Sequence, residues 1–272
     1  MASVAEANRT SVIVTSYNQR ATLELLLASL ARQTQMPLEV IIADDGSKDS
    51  ISELAQVAYP FSFRFITQED VGYRKSKILN EAIRNSRGDY LVFLDADVVL
   101  ERHFVEDHLK LAEQDAFVCG RRVDLGPSIT ATLSAREVGE GFFDRLRIKT
   151  FLSARRGDSE NIKRALRITP PWLRRWMGYH KPIDILGSNL SLWKKDLIEV
   201  NGFNESIEAY WGEDGDLYIR LRNAGKKAIS AKGLCVQYHF FHKRRLPTAE
   251  NVSQVTELLA NRDYKWAERG LS

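Results

Sequence analysis

The feature that most constrains this chain is a regular alternation of apolar strand-like runs and amphipathic helical stretches through its first hundred residues. Ser11–Thr15 (SVIVT) is a short β-branched run, and Ala21–Leu30 follows with leucines at helical spacing. LEVIIA over Leu38–Ala43 comes next, then a predicted helix over about Ile51–Ala58, then FRFIT over Phe63–Thr67. A helix from about Ser76 to Asn85 and the run YLVFL, Tyr90–Leu94, complete the series. Strands that are apolar along their whole length are buried on both faces. The pattern therefore predicts an α/β fold with a mostly parallel central sheet and helices on both sides. At 272 residues, 44% of them hydrophobic, the chain has enough apolar material for such a core.

Sheets of this kind bind ligands beyond the carboxyl ends of their strands. The residues that follow the strands meet that demand. The first strand runs into Thr15-Ser16-Tyr17-Asn18, the second into Asp44-Asp45-Gly46-Ser47, and YLVFL into Asp95-Ala96-Asp97. Two carboxylates spaced by one residue after a buried strand repel each other unless a cation lies between them. Hard ions such as Mg²⁺ or Mn²⁺ take oxygen ligands and share them with substrate phosphates. Asp44-Asp45-Gly46-Ser47 by itself is an ordinary turn; its functional reading is a carboxylate that accepts the imide N–H of uracil, with Tyr17 stacked on the base and Thr15 adding a polar contact.

The second half is less regular. It predicts a strand-like segment near Ile183–Leu192, a helix near Asp214–Asn223, a strand through Leu234–Tyr238 and a tail helix over Asn251–Arg269. Acids in the first turn suit the helix dipole, which accounts for Asp214 and Asp216 without any chemistry. It does not account for Tyr210-Trp211-Gly212 ahead of Glu213, a grouping that suits a sugar with an apolar face and hydroxyls. His239 and His242 flank Phe240-Phe241 at the end of the last strand, where a third metal ligand is wanted. His103, His108 and His180 read as structural or surface residues.

Taken in order, TSYNQ, DDGSKDS and LDAD resemble the nucleotide-binding half of GT-A glycosyltransferases of family 2. GSNLSLWKKDLIEVNGFNE with YWGEDGDLYIRL is similar to the acceptor half of β-1,4-galactosyltransferases, polypeptide N-acetylgalactosaminyltransferases and chondroitin-type polymerases. The resemblance implies a GT-A (Rossmann-like) fold that uses a UDP-sugar and Mn²⁺ or Mg²⁺. It implies that Thr15, Tyr17 and Asp45 hold uracil, that Asp95 meets the ribose or the metal, and that Lys77 contacts the nucleotide. Asp97 and His239 would ligate the metal, with His242 as the competitor or a diphosphate contact. Asp214 would be the catalytic base, and Glu213 and Trp211 would bind the acceptor. The galactosyltransferases place a methionine and a histidine three apart at the metal, whereas both positions here are histidine. The chain divides accordingly into a nucleotide-sugar half (1–120), a basic helical insert (121–182), an acceptor and catalytic half (183–246) and a C-terminal helix (247–272). A sugar-nucleotide pyrophosphorylase is the rival enzyme, but it would need a glycine-rich loop by the first strand, and TSYNQRATLE has no glycine. A non-catalytic carbohydrate-binding module would not need these acids at separate strand ends.

Charge singles out the insert. Between Arg145 and Lys181 eleven Lys or Arg face two acids, a net +9, so the remainder carries −6 of the chain's net +3. These cations are interleaved with Leu146, Ile148, Phe151, Leu166, Ile168, Trp172, Leu173 and Trp176, a pattern suited to an anionic lipid surface. The expected acceptor is a glycan or lipid-linked glycan, as in cell-surface polysaccharide or lipopolysaccharide synthesis. The acidic remainder and the lack of a recognised module argue against nucleic acid. The N-terminus lacks a cationic start and apolar run, and Cys119 and Cys235 sit in apolar contexts as buried thiols. The expected location is therefore cytoplasmic, at most peripheral on the inner face of the membrane.

Overall fold

The computed structural model describes residues 9–48, 51–142, 159–208, 212–243, 252–253, 256–257 and 261–272. Its main sheet has seven strands: β1 (Thr10–Ser16), β2 (Glu39–Asp44), β3 (Ser62–Thr67), β4 (Tyr90–Asp95), β6 (Ala116–Cys119), β8 (Leu190–Trp193) and β9 (Lys227–Ser230). They lie in the order β3-β2-β1-β4-β8-β6-β9. All pairings are parallel except those of β8, which runs antiparallel to both β4 and β6. Every residue of β1 and β2 is buried, as a strand with parallel neighbours and covered faces requires.

Alternate residues feed two cores. Val12, Val14, Val40 and Ile42 pack with Leu23, Leu26, Leu27 and Leu30 of the helix α1 (Arg20–Leu30). Ile13, Ile41, Leu91 and Phe93 face the other way, onto Ile78, Leu79, Ala82 and Ile83 of α2 (Lys75–Asn85). Strand period two and helix period 3.6 thus meet on both sides of one sheet. Between β2 and β3 the expected helix is a single 3-10 stretch, Ser52–Gln56. Cys119 and Cys235 are both buried.

A second sheet of three short strands, β5 (Val98–Leu100), β10 (Gln237–His239) and β7 (Val123–Asp124), stands beside the first in the order β5-β10-β7. It covers its own apolar cluster of Val99, Val123, Leu125, Val236, Tyr238 and Phe240. The basic insert contributes four short described turns of helix, Pro127–Thr130, Ala135–Gly139, Ile162–Ala165 and Pro171–Trp176. The tail departs from expectation. Residues 252–253 and 256–257 are helical, but 261–272 runs as turns, with the Asn261 side chain accepting the Asp263 N–H at 3.0 Å. A side chain that caps its own backbone in this way competes with helix. The segment still docks on the body: Asn201 Nδ2 donates to the Ala267 carbonyl at 2.6 Å and Arg84 Nη2 to the Gly270 carbonyl at 2.6 Å. No described helix is long and apolar enough to cross a membrane.

Two polar residues of the GSNLS motif, Asn189 and Ser191, are structural. The short helix α3 (Phe104–Leu111) carries His108, fully buried, whose Nδ1 accepts from Ser191 Oγ at 2.7 Å and whose Nε2 donates to Asn189 Oδ1 at 3.1 Å. Burial pushes the His108 pKa down to about 4. Its unfolded value is about 6.5, so stability is complete above pH 6.5 and is lost as pH falls toward 4, by about 3 kcal/mol. Urea unfolding of wild type and His108→Gln between pH 7.5 and pH 4.5 tests this. The stability difference between them should shrink on acidification; parallel pH profiles would exclude it.

Candidate active site

Strand register builds the first half of the site. Thr15 at the end of β1 pairs with Asp95 at the end of β4, and Thr15 Oγ1 donates to Asp95 Oδ1 at 2.7 Å. The chain order reverses at this point, since β2 and β3 lie on one side of β1 and β4 on the other. Open α/β sheets place their ligand crevice at such a switch. Lys75, the first residue of α2, bridges Asp95 Oδ1 at 3.1 Å and Glu213 Oε1 at 3.3 Å. Tyr73 also donates to Glu213 Oε1, at 3.0 Å. Burial alone would lower the Lys75 pKa, but Asp95 and Glu213 outweigh it and hold the ammonium well above its ordinary range.

Sequence reasoning chose Lys77 and missed Lys75. Lys77 is exposed on the helix. Residues two apart on a helix face different directions, so moving the helix start by one residue changes which lysine meets the strand ends. Asp45 is buried, with Oδ2 accepting the Arg74 N–H at 3.0 Å and Oδ1 accepting from Gln68. Burial raises its pKa despite these bonds. Asp44 makes the ordinary turn, accepting the Ser47 N–H at 2.9 Å. Tyr17, which follows β1, is 37% exposed, and its hydroxyl donates to Asp70 Oδ1 at 3.3 Å.

Glu213 and Asp214 open the helix Glu213–Asn223, and Gly212 ahead of them has φ +119°, a conformation that favours glycine. Asp214 Oδ2 accepts the Gly187 N–H at 2.8 Å, while Oδ1 is shielded and without a partner among the described residues. A Cβ at Gly187 would lie 2.3 Å from Asp214 Oδ1, so only glycine lets the backbone approach. Burial, and then the neighbouring Glu213 charge, raise the Asp214 pKa to about 7 although Lys75 opposes them. Asp216 is different: it sits in a fully buried pair with Arg220, whose Nε donates at 2.9 Å, and accepts Tyr264 Oη at 2.7 Å. Trp211 lies outside the described residues.

The second sheet builds the other half. Asp97 Oδ2 lies 3.1 Å from His242 Nε2, 3.5 Å from His239 Nε2 and 3.2 Å from Gln19 Nε2. The two histidine Nε2 atoms are 3.1 Å apart. Both histidines therefore reach Asp97, His239 buried and His242 with 42% of its side chain exposed. Burial would raise the Asp97 pKa, but the two imidazoles hold it well below the usual carboxylate range. Asp97 Oδ1 is buried without a partner among the described residues. One hard oxygen and two imidazole nitrogens converging beside an orphaned carboxylate oxygen suit a divalent cation.

With this geometry in place, residues 11–173 match the model of glycosyl transferase family 2, which is more than half of the chain. The chain belongs to glycosyl transferase family 2. Residues 175–243 of this glycosyltransferase match a second model, described as the N-terminal domain of galactosyltransferase. It is 30% identical over 243 residues to the glycosyltransferase YfnE of Bacillus subtilis, with 80% of this chain and 61% of that one aligned. It is 29% identical over 238 residues to the validoxylamine A glucosyltransferase of Streptomyces hygroscopicus subsp. limoneus, covering 79% and 48% of the two chains. To the Escherichia coli chondroitin synthase it is 26% identical, over 84% of this chain and 34% of that one. The enzyme thus spans between 34% and 61% of the length of these relatives. Among solved structures, S. aureus TarS in complex with UDP-GlcNAc superposes with a TM-score of 0.63 at 16% identity, over 97% of this chain and 68% of that one. A Pyrobaculum calidifontis mannosyltransferase in complex with GDP-Man and Mn²⁺ gives 0.58 at 19%, over 87% and 58%. These likenesses bear out the GT-A fold. Membership of glycosyl transferase family 2 favours the transferase reading over the pyrophosphorylase and binding-module alternatives.

Proposed function

We propose that this family 2 enzyme transfers a hexose or N-acetylhexosamine from a UDP-sugar to a hydroxyl of a glycan or lipid-linked glycan, with inversion and with a divalent metal. The observation that carries the reading is Asp214. It is a shielded carboxylate with one oxygen unpartnered among the described residues, a pKa near neutrality and a position at the carboxyl edge of the sheet. Such a group is fitted to take the acceptor hydroxyl's proton as that oxygen attacks the anomeric carbon. One base and no enzyme nucleophile give a single displacement, so an α-linked donor yields a β-linked product.

The other roles follow from position. Thr15, Tyr17 and Asp45 line the nucleotide side, with Asp95 at the ribose. Glu213, with Trp211, serves the acceptor. Lys75 neutralises Asp95 and Glu213 together and so holds the donor and acceptor carboxylates in one crevice. Asp97, His239 and His242 would hold Mn²⁺ or Mg²⁺. A cation there supplies positive charge opposite the departing diphosphate. The TarS complex with UDP-GlcNAc and the chondroitin synthase relative support a UDP-sugar donor and a glycan acceptor, as in polysaccharide or lipopolysaccharide synthesis. Incubating the enzyme with a panel of UDP-sugars and Mn²⁺ should release UDP slowly even without acceptor. Failure to bind or cleave any of them would refute the donor assignment.

The basic insert supports contact with an anionic membrane at the cytoplasmic face. Trp172 and Trp176, 71% and 81% exposed, lie one turn apart on the helix Pro171–Trp176, with Arg175 and Lys181 exposed nearby. Arg145–Gly157 lie outside the described residues. Arg174, by contrast, donates to the Ser230 and Lys232 carbonyls and is a structural residue. Ser230 ends β9, which runs parallel to β6, so this helix is fixed at the carboxyl edge of the sheet. Co-sedimentation with vesicles containing anionic lipid should weaken with salt and drop several-fold in Trp172→Ala/Trp176→Ala/Arg175→Ser. Wild type that ignores anionic vesicles at low salt would reduce the segment to a solvated lid.

A further inference from the structure

The two ring nitrogens of His239 have different neighbours. Nε2 faces His242 and Asp97, whereas Nδ1 lies 3.5 Å from Oδ1 of Asp124. The register of the small sheet dictates this, because β10 and β7 are parallel and pair His239 directly with Asp124. Asp124 is itself fixed from two directions. Arg122 Nε donates to Oδ1 at 3.1 Å, and Asn161 Nδ2 donates to Oδ2 at 2.9 Å. Its backbone exchanges two hydrogen bonds with Glu160, at 3.2 and 2.9 Å. Glu160 and Asn161 are where the insert returns to the small sheet, through the bridge between Glu160 and Asp124, and Asn161 takes a left-handed φ of +59° there.

A neutral imidazole carries a proton on one nitrogen and a lone pair on the other, and an ionised carboxylate can only accept. Both nitrogens lie 3.5 Å from a carboxylate oxygen, but Asp97 Oδ2 has nearer donors in His242 Nε2 at 3.1 Å and Gln19 Nε2 at 3.2 Å. The Nδ1 that faces Asp124 is therefore the nitrogen left to carry the proton, and the lone pair of Nε2 points toward Asp97 and His242. We propose that Asp124 is a positioning residue for the metal: it holds His239 as the Nδ1–H tautomer and so presents Nε2 as a ligand. Carboxylates that brace a ligating histidine in this way set ring orientation and basicity. The inference rests on the metal reading of Asp97, His239 and His242, and adds a residue that no motif in the sequence marks. It also gives the insert a second task, since its return segment clamps the carboxylate behind a ligand.

The test begins on the metal-free full chain labelled with ¹⁵N-histidine, at a pH above which the histidine signals no longer shift. The chain has five histidines, and His239→Gln identifies the signal. Long-range ¹H–¹⁵N spectra should show His239 as the Nδ1–H tautomer in wild type and as a mixture in Asp124→Asn. Mn²⁺ titration followed by electron paramagnetic resonance should then show affinity about 10- to 100-fold weaker in Asp124→Asn, partly restored in Asp124→Glu. The thermal midpoint and the UDP affinity in chelator should hold. An Nε2–H tautomer in wild type, or wild-type Mn²⁺ affinity in a folded Asp124→Asn, would overturn the proposal. Wild type that binds no Mn²⁺ would defeat the metal reading itself. If Asp124→Asn fails to fold, the wild-type tautomer still decides the question.

Discussion

Replacing Asp214 with Asn is expected to lower turnover by about 10²-fold or more while UDP-sugar binding stays near wild type. Asn keeps the oxygen that accepts the Gly187 N–H, so local geometry survives and only proton affinity is lost. In wild type the carboxyl titrates near 7 because burial and Glu213 disfavour its charge. A base must be unprotonated to act, so kcat/KM should fall about tenfold per pH unit below that point. The acid limb should vanish in the Asn variant. Near-normal turnover would pass the role to Glu213, because Asp216 is locked between Arg220 and Tyr264.

Asp97→Ala is expected to abolish the stimulation of turnover by Mn²⁺, a loss of about 10²- to 10³-fold given several kcal/mol of charge stabilisation. Asp97 is the one carboxylate in the group with His239 and His242, and its Oδ1 has no partner to lose among the described residues. Removing it leaves two imidazoles without the hard anionic ligand that divalent cations require. His239→Ala should cost more than His242→Ala, since the first ring is buried and braced by Asp124 while the second is partly exposed. Turnover measured across a Mn²⁺ series in each variant checks both statements. An Asp97→Ala enzyme that keeps the wild-type response would contradict the assignment.

What could be read from sequence was whatever lies at the end of a buried strand. SVIVT, LEVIIA and YLVFL are mostly apolar runs, so the polar residues at or just after their ends, Thr15, Asp45, Asp95 and Asp97, fall at one edge of the sheet. The direction of β8 was not legible, because LSLW carries no mark that separates an antiparallel strand from a parallel one. The short strands AFVC and KAIS are four residues each and give periodicity nothing to work on. Lys75 lies two residues before Lys77 and faces Asp95 and Glu213, whereas Lys77 is exposed. Asp124 was invisible because it meets His239 only through a pairing between distant parts of the chain. In the tail, 252–253 and 256–257 are helical as expected, but over 261–272 Asn261 and the docking bonds to Asn201 and Arg84 replace helix with turns.

The central claim is that the edge formed by Thr15, Asp45, Asp95 and the Asp97–His239–His242 group is one metal-dependent nucleoside-diphosphate site. Calorimetric titration of wild type with UDP, once with Mn²⁺ and once with chelator, tests it most directly. The account predicts saturable binding at one site, at least about tenfold tighter with Mn²⁺, which is roughly 1.4 kcal/mol. Equal affinity under the two conditions, or no binding in either, would contradict it.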